Sequence, residues 1–261
     1  MKRFSILVIG IFSFYFLILG ITLVYATPST HIWSPSTDIQ PYRKVHVTSD
    51  FYFPVDKKDL NDNRVYTGEV YGLTFSLLSD DPNKNPLGKV MAEAGFDYKK
   101  GFGSFLDTYP WYFHFKLGVP EDAYFKNMPA LAFGGYDLGI KHNVTDYDIW
   151  YAKTAKTFVI DKLNLGRFSV GYFKGSKPLL LNKDRERDNK GIMLAWERTM
   201  SEISDRLWIC ADYQATQSSY GAMNYGFAWK FTDNISAIAG YEIYNNPNLR
   251  DTITFQLDVD F

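Results

Sequence analysis

In the C-terminal stretch "DTITFQLDVDF", the last ten residues alternate strictly between polar and apolar side chains. Because successive side chains of a β-strand point to opposite faces of the sheet, this pattern predicts a strand with one apolar and one polar face. The apolar face holds Ile253, Phe255, Leu257, Val259 and Phe261, and the polar face holds Thr252, Thr254, Gln256, Asp258 and Asp260.

The same alternation recurs along the chain in segments of about ten residues, separated by turn-forming clusters. It is clearest in 111–119, where bulky apolar residues at odd positions alternate with Tyr, His, Lys and Gly. Phe133-Gly134-Gly135-Tyr136 predicts a bulge within a strand that alternates poorly. With the last segment, the pattern predicts about twelve strands, with ten to fourteen possible, and no helix after the N-terminal apolar run. The other predicted strands are 43–54, 64–78, 90–99, 129–141, 147–158, 166–175, 190–200, 207–215, 222–231 and 234–244.

The character of the two faces predicts which one points outward. A soluble sandwich buries its apolar face and uses strands of about five or six residues, whereas strands of about ten residues can cross a membrane when tilted. Here one face is bulky and aromatic, while the other mixes charges with Gly, Ala and Ser. Small and charged residues make a poor core but suit a wet interior. The fold class predicted is therefore all-β, a closed antiparallel up-and-down transmembrane β-barrel.

The N-terminus predicts export from the cytoplasm. Lys2 and Arg3 precede an apolar run over 4–25, and Val24-Tyr25-Ala26 has the small residues of a cleavage site. We expect 1–26 to be a cleaved secretory signal peptide, although the run is also long enough for a retained anchor helix. Residues 27–41 contain three prolines and Trp33, and are predicted as either a periplasmic leader or a lumen plug. The barrel itself is expected over 42–261.

Taken together, these features resemble bacterial outer-membrane β-barrel proteins of the porin or channel type, without indicating a subfamily. The resemblance rests on the signal-like N-terminus, the single cysteine, the ten-residue strands and the final aromatic residue. It implies a Gram-negative outer membrane, contact with lipid and lipopolysaccharide, a monomer, and the barrel assembly machinery as a partner during biogenesis. That machinery would read the final strand through Ile253, Phe255, Leu257, Val259 and Phe261.

A twelve-stranded barrel lies between small barrels filled by side chains and large barrels with an open channel. The predicted lining has both charge signs and a modest acidic excess, which favours a small passive pore for cations or neutral polar solutes. The alternative is that these charges pair across the lumen and close it, as in a structural or adhesion barrel or the membrane partner of an envelope complex. The predicted lining is His46, Asp50, Tyr52, Glu93, Asp97, Lys99, His114, Lys116, Glu197, Asp212, Gln214, Asn224, Lys230, Glu242, Gln256 and Asp258.

Composition argues against several other functions. A formal charge of -1 provides no basic surface for nucleic acid. One cysteine and four scattered histidines offer no internal disulfide and no metal-ligand spacing, so no cofactor is expected. An outer-membrane lipid hydrolase would need a serine and a histidine together on the outer face. The alternation instead directs His46 and His114 into the lumen, with His31 in 27–41 and His142 in a turn, so we expect no enzyme.

Strand parity also predicts the sidedness of the connections. An even number of strands returns both chain ends to one side of the membrane, which for this class is the periplasm. The short connections at 200–205 and 231–234 are then periplasmic, and the longest, 175–191, lies outside the cell. Its mixed-charge run, 183–188, is predicted to be solvated.

Overall fold

The computed structural model describes residues 29–55, 67–103, 106–161 and 163–261, and the predicted signal peptide lies outside them. The described chain forms one antiparallel sheet of twelve strands, in which each strand pairs with the next and the last pairs with the first. The predicted fold class and strand number are confirmed. The strands are β1 (Val45–Pro54), β2 (Gly68–Ser76), β3 (Met91–Lys100), β4 (Trp111–Val119), β5 (Ala130–Gly139), β6 (Ile149–Ile160), β7 (Leu163–Lys174), β8 (Lys190–Thr199), β9 (Leu207–Gln214), β10 (Ala222–Lys230), β11 (Ile235–Tyr244) and β12 (Thr252–Asp260).

Bulky apolar side chains cover the outside of the barrel. Phe113, Trp150 and Phe255 expose 48, 45 and 45% of their surface, whereas the inner-face residues Asn224 and Glu242 expose none. A continuous apolar exterior of this kind suits hydrocarbon rather than water. Among the described residues, the one helical element is a 3₁₀ turn over Leu106–Thr108, so none of their helices is long and apolar enough to cross a membrane.

The final strand closes the barrel. β12 pairs with β1 from His46–Asp260 to Pro54–Thr252, and the backbones of Val45 and Phe261 exchange two hydrogen bonds of 3.2 and 2.9 Å. Closure leaves no unpaired sheet edge, which a hydrocarbon environment requires because it offers no partner for free backbone groups. The alternate apolar residues from Ile253 to Phe261 face outward, and their role as an assembly signal stays a prediction.

The two ends of the barrel differ in their connections. One end, which we call the termini end, carries residues 45 and 261 and the described connecting residues 77–90, 120–129, 161, 200–206 and 231–234. The opposite end, the loop end, carries the described connecting residues 55, 67, 101–103, 106–110, 140–148, 175–189, 215–221 and 245–251. The predicted short turns and the predicted long loop thus lie at opposite ends, while their assignment to periplasm and exterior stays a prediction.

A bulge in β5 turns two consecutive side chains inward. The pairing of β4 with β5 shifts between Phe113 and Phe115, leaving Tyr136 and Asp137 without partners on β4. Asp137 has a φ of 52°, as expected where an extra residue is inserted into one strand. The sequence predicted a bulge within 133–136, and the structure places it at the end of that range. Consequently both Tyr136 and Asp137 contribute polar groups to the interior.

The connection 175–189 folds over the loop end. Its Leu180 is fully buried and packs against Ile149, Phe173 and Met193 in an apolar cluster that also includes Tyr220. The interior is therefore apolar beneath this connection and polar nearer the middle of the barrel.

Candidate functional site: the barrel interior

Residues 29–41, which we call the inner segment, lie inside the barrel. His31 and Ser34 are fully buried, and Ile32 and Gln40 are each 1% exposed. The inner segment makes hydrogen bonds to inward-facing residues of β3, β6, β7, β8 and β9. The sequence left two positions open for 27–41, a leader outside the barrel or a plug within it. Residues 29–41 contact the inner face of the sheet, and their role as a plug stays a prediction.

Asp212 on β9 is the principal anchor of the inner segment. Its carboxylate accepts hydrogen bonds from the backbone N–H groups of Ile32, Trp33 and Ser34, at 2.9, 3.2 and 3.1 Å. Asn224 Nδ2 donates a further hydrogen bond to Asp212 Oδ1 at 3.0 Å. Hydrogen bonds to a charged acceptor are roughly twice as strong as neutral ones. One inward aspartate therefore fixes three consecutive peptide groups.

Two lysines bind the carbonyl groups of the inner segment. Lys153 Nζ on β6 donates to Pro35 O at 2.8 Å and to Ser34 Oγ at 3.1 Å. Lys116 Nζ on β4 donates to the carbonyl of Ser29 at 2.8 Å and to that of Asp38 at 2.7 Å. These ammonium groups satisfy acceptors that would otherwise be buried without a partner.

Ionic contacts hold the far end of the inner segment. The Arg167 guanidinium on β7 forms a two-pronged pair with Asp38, with Nη1–Oδ1 at 2.6 Å, and also donates from Nε to Glu197 Oε1 at 2.8 Å. Gln40 donates from its backbone N–H to Glu93 Oε2 at 2.6 Å and from Nε2 to Asp260 Oδ1 at 3.0 Å. A planar guanidinium facing a carboxylate fixes geometry as well as charge.

Small side chains on the inner face make room for the inner segment. Ile32 packs against Cys210 and Ile238, and a Cβ added at Gly240 would lie 3.0 Å from Ile32 Cγ2. At Gly118 an added Cβ would come within 2.7 Å of Ile39. Small inward residues were predicted only to line a wet lumen, whereas Gly118 and Gly240 accommodate the chain itself.

A cavity of about 150 Å³ remains beside the inner segment. Trp33 forms one side of it, with its ring 5.7 Å from Tyr52 in an edge-to-face arrangement and 6.2 Å from Tyr220. The other sides carry charged groups from β1, β3, β4, β5 and β12. The interior therefore contains a space, lined by both charged groups and apolar surface, that protein atoms leave unfilled.

The charges around the cavity form pairs. Glu93 contacts Lys116 at 2.9 Å, and Asp137 contacts Lys99 at 2.5 Å. His114 lies 3.5 Å from Asp97, and His46 lies 3.3 Å from Asp258. Asp50 differs, because its described partner is the hydroxyl of Thr48.

Ten of the sixteen residues predicted to line a pore border this cavity. Lys230 lies at the termini end, 3.6 Å from Asp233. The remaining five are buried against the inner segment or against other inward side chains: Glu197, Asp212, Gln214, Asn224 and Glu242. Their role as the wall of a conducting pore stays a prediction. The ten are His46, Asp50, Tyr52, Glu93, Asp97, Lys99, His114, Lys116, Gln256 and Asp258.

Sequence reasoning missed three charged residues of the interior: Asp137, Lys153 and Arg167. They lie on β5, β6 and β7, where the alternation is weakest, and Asp137 reaches the lumen through the bulge. For Lys153 a signal was present, since it has the same parity in β6 as the buried Tyr151 and Ala155. Because alternation is weak in β5, β6 and β7, it did not identify which of their residues face inward.

One serine, histidine and carboxylate set comes together within the described residues. His31 Nδ1 lies 3.3 Å from Ser34 Oγ, and its Nε2 lies 3.3 Å from Glu197 Oε1. These groups face the lumen rather than lipid, are almost completely buried and do not border the cavity. Lys153 also contacts both His31 Nδ1 and Ser34 Oγ. The set therefore joins the inner segment to the wall, with no opening for a substrate.

No protein family model matches the chain, and no curated protein matches its sequence. Its structure is similar to an outer membrane channel from Pseudomonas putida F1, at 9% identity and a TM-score of 0.45, covering 86% of this chain and 97% of that one. The KdgM porin gives 9% identity, a TM-score of 0.42 and coverage of 82% and 98%. A triple mutant of the Rhodopseudomonas blastica porin gives 10% identity, a TM-score of 0.40 and coverage of 83% of this chain and 99% of that one. These values describe a likeness in general barrel architecture.

Proposed function

We propose that the protein is a narrow outer-membrane channel for small polar solutes or ions, which its own inner segment closes. The observation that carries this proposal is the kind of contact that holds the segment. Apart from the packing of Ile32, Trp33 and Ile39, its contacts are hydrogen bonds and ion pairs to the wall. Water can replace such contacts, so each contributes only about 0.5–3 kcal/mol net to keeping the segment in place. A segment held in this way can leave when water replaces these contacts together, without breaking the backbone pairing of the sheet.

The polar wall supports the same proposal. If the inner segment leaves, Asp212, Arg167 and Lys153 become available to water, and the existing cavity widens along the axis of the barrel. Charged groups that then face each other across a wet lumen suit the passage of small hydrated solutes. A barrel with a purely structural role has no need for unfilled polar space.

A second candidate is a non-conducting structural barrel. It is favoured by Asp212, which is 1% exposed and satisfies three backbone N–H groups at once, an arrangement expected of a permanent internal support. The two candidates differ in whether the inner segment leaves the lumen.

The chain offers a direct test, because its only cysteine lies next to the inner segment. Ile32 packs against Cys210, so Ile32→Cys should form a disulfide between the segment and the wall on oxidation. We expect infrequent conductance steps from the wild type in a planar bilayer, none from the oxidised variant, and their return after reduction. The variant that also carries Cys210→Ser is the matched control. It cannot form the disulfide, so its conductance steps should be the same before and after oxidation.

Two results would contradict the proposal. Equal conductance before and after oxidation, with the disulfide verified by electrophoresis, would show that solutes do not pass where the inner segment lies. Silence of the reduced variant and of Asp212→Ala, both inserted as folded barrels, would favour the structural role.

A further inference from the structure

We propose that the cavity beside the inner segment is a binding site for a small organic monocation, such as guanidinium or a short alkylammonium ion. This inference deepens the proposed channel function, because it names the class of solute that the lumen selects. It rests on that function for the passage of the solute, but the binding itself is a property of the folded barrel and can be measured without conductance.

Acidic groups outnumber basic groups around the cavity. Five carboxyl groups border it, against two lysines and two histidines. Four of the carboxylates contact one of these basic groups. The fifth, Asp50, instead accepts a hydrogen bond from the Thr48 hydroxyl, its described partner. When Asp50 is ionised it therefore has no positive partner among the described residues around the cavity, and a monovalent cation would supply one.

A second carboxylate approaches the same place. Gly72 stands between Thr48 and Asp97 in the sheet, and both Asp97 Oδ1 and Thr48 Cγ2 lie 2.7 Å from the point where a Cβ on Gly72 would be. The Asp97 carboxylate thus reaches across the glycine to the residue that binds Asp50. Two carboxylates on one side of a small cavity concentrate negative potential there.

Aromatic rings form the adjoining surface. Tyr52 lies two residues after Asp50 on the inner face of β1, and Trp33 meets Tyr52 edge to face. The faces of such rings attract cations, with tryptophan the strongest. A ligand can then place its charge at Asp50 and its C–H groups or planar face against Trp33.

The size and the donor set limit the ligand. A cavity of about 150 Å³ holds a molecule about as large as benzene. Among the described residues, no three His, Cys, Asp or Glu side chains are grouped closely enough to hold a metal ion. The combination of a few carboxylates with ring faces favours a diffuse organic cation over a metal ion.

The test is calorimetric titration of the full-length folded protein in detergent micelles with guanidinium chloride at millimolar concentration. We expect saturable binding of guanidinium and none of urea, which has nearly the same shape but no charge. Excess potassium chloride should weaken binding only slightly. Asp50→Asn should lower the affinity at least tenfold, and Trp33→Leu several-fold. The matched control is Asp184→Asn, which removes the same charge from the exposed part of 175–189 and should bind as the wild type does.

Several results would overturn the inference. They are binding of urea equal to that of guanidinium, displacement by an equal concentration of potassium, or unchanged affinity in Asp50→Asn with normal heat-modifiable migration on a gel. The comparison of urea with guanidinium on the wild type does not depend on whether any variant folds. Binding to a barrel that never conducts would keep this site and remove the channel, whereas conductance without saturable binding would do the reverse.

Discussion

The two sides of the barrel interior carry the same types of side chain and use them differently. On one side, which we call the latched wall, Lys153, Arg167, Glu197 and Asp212 each contact the inner segment. On the other, the cavity wall, Asp50, Asp97, His114 and Asp258 face one another and the open space. Most inward charges therefore have one of two uses here, to hold the inner segment or to face the open space, while Glu93 and Lys116 do both.

The difference arises from contacts that are distant in sequence. Asp97 and Asp212 both lie at polar positions of clearly alternating strands, and nothing local distinguishes them. Asp212 meets peptide groups 178 to 180 residues away, because the inner segment passes along its side of the lumen. Asp97 meets His114 on the neighbouring strand. Position within a strand decides which face a residue occupies, and tertiary folding decides what it touches there.

The largest effect is expected from Asp212→Ala, which breaks the latched wall at its main anchor. It leaves the N–H groups of Ile32, Trp33 and Ser34 without their acceptor, and hydrogen bonds to charged groups contribute about 1.5–3 kcal/mol each. With partial replacement by water, we expect a loss of about 3 kcal/mol in the free energy of unfolding and a large rise in the frequency of conductance steps. Urea unfolding in micelles and planar-bilayer recordings measure the two quantities.

Asp233→Ala is the matched control for this prediction. Asp233 is an exposed aspartate in the turn between β10 and β11, and its carboxylate lies 3.6 Å from Lys230 Nζ, so its loss should change neither quantity appreciably. Unchanged conductance in folded Asp212→Ala would show that the inner segment stays in place without its anchor, and would break the distinction between the two walls.

The barrel was predictable from sequence because alternation is a local signal. Twelve strands and the inner face of the clear ones follow from a period of two, which each strand carries independently. The position of the inner segment was not predictable, since residues 27–41 have no periodicity and Trp33 alone fits either a leader or a plug. Asp137 was lost for a related reason, because a bulge reverses the alternation that identifies the inner face.

A moderate effect is expected from the ion pair between Arg167 and Asp38, which joins the latched wall to the far end of the inner segment. A double-mutant cycle with Arg167→Ala and Asp38→Ala should give a coupling energy of about 1–2 kcal/mol, because the pair is two-pronged but its side chains remain 18 and 20% exposed. The same cycle on Lys156 and Glu121, a pair at 3.0 Å near the termini end whose ammonium group lies in solvent, should give a smaller coupling energy. Equal coupling energies in both cycles would show that the pair of Arg167 and Asp38 contributes no more than an ordinary surface ion pair.

The smallest effects are expected from two glycine substitutions, one near each group of contacts. Gly240→Ala would place its Cβ 3.0 Å from Ile32 of the inner segment, whereas Gly72→Ala would press on Asp97 and Thr48 at 2.7 Å. Overpacking of this size costs about 1 kcal/mol. Part of that cost is offset because an unfolded chain with alanine has less conformational entropy to lose on folding than one with glycine. Overall stability should therefore change little in either variant.

Their value lies in the opposite readouts that the two substitutions should give. Gly240→Ala should raise the frequency of conductance steps slightly and change guanidinium affinity less than Gly72→Ala does, because its Cβ contacts Ile32 and Thr254 rather than a carboxylate of the cavity. Gly72→Ala should weaken guanidinium binding two- to threefold and leave the closed state unchanged, because it pushes Asp97 away from the cavity. If both variants altered both properties together, the inner segment and the cavity would form one coupled unit, and the separation into a latched wall and a cavity wall would have to be abandoned.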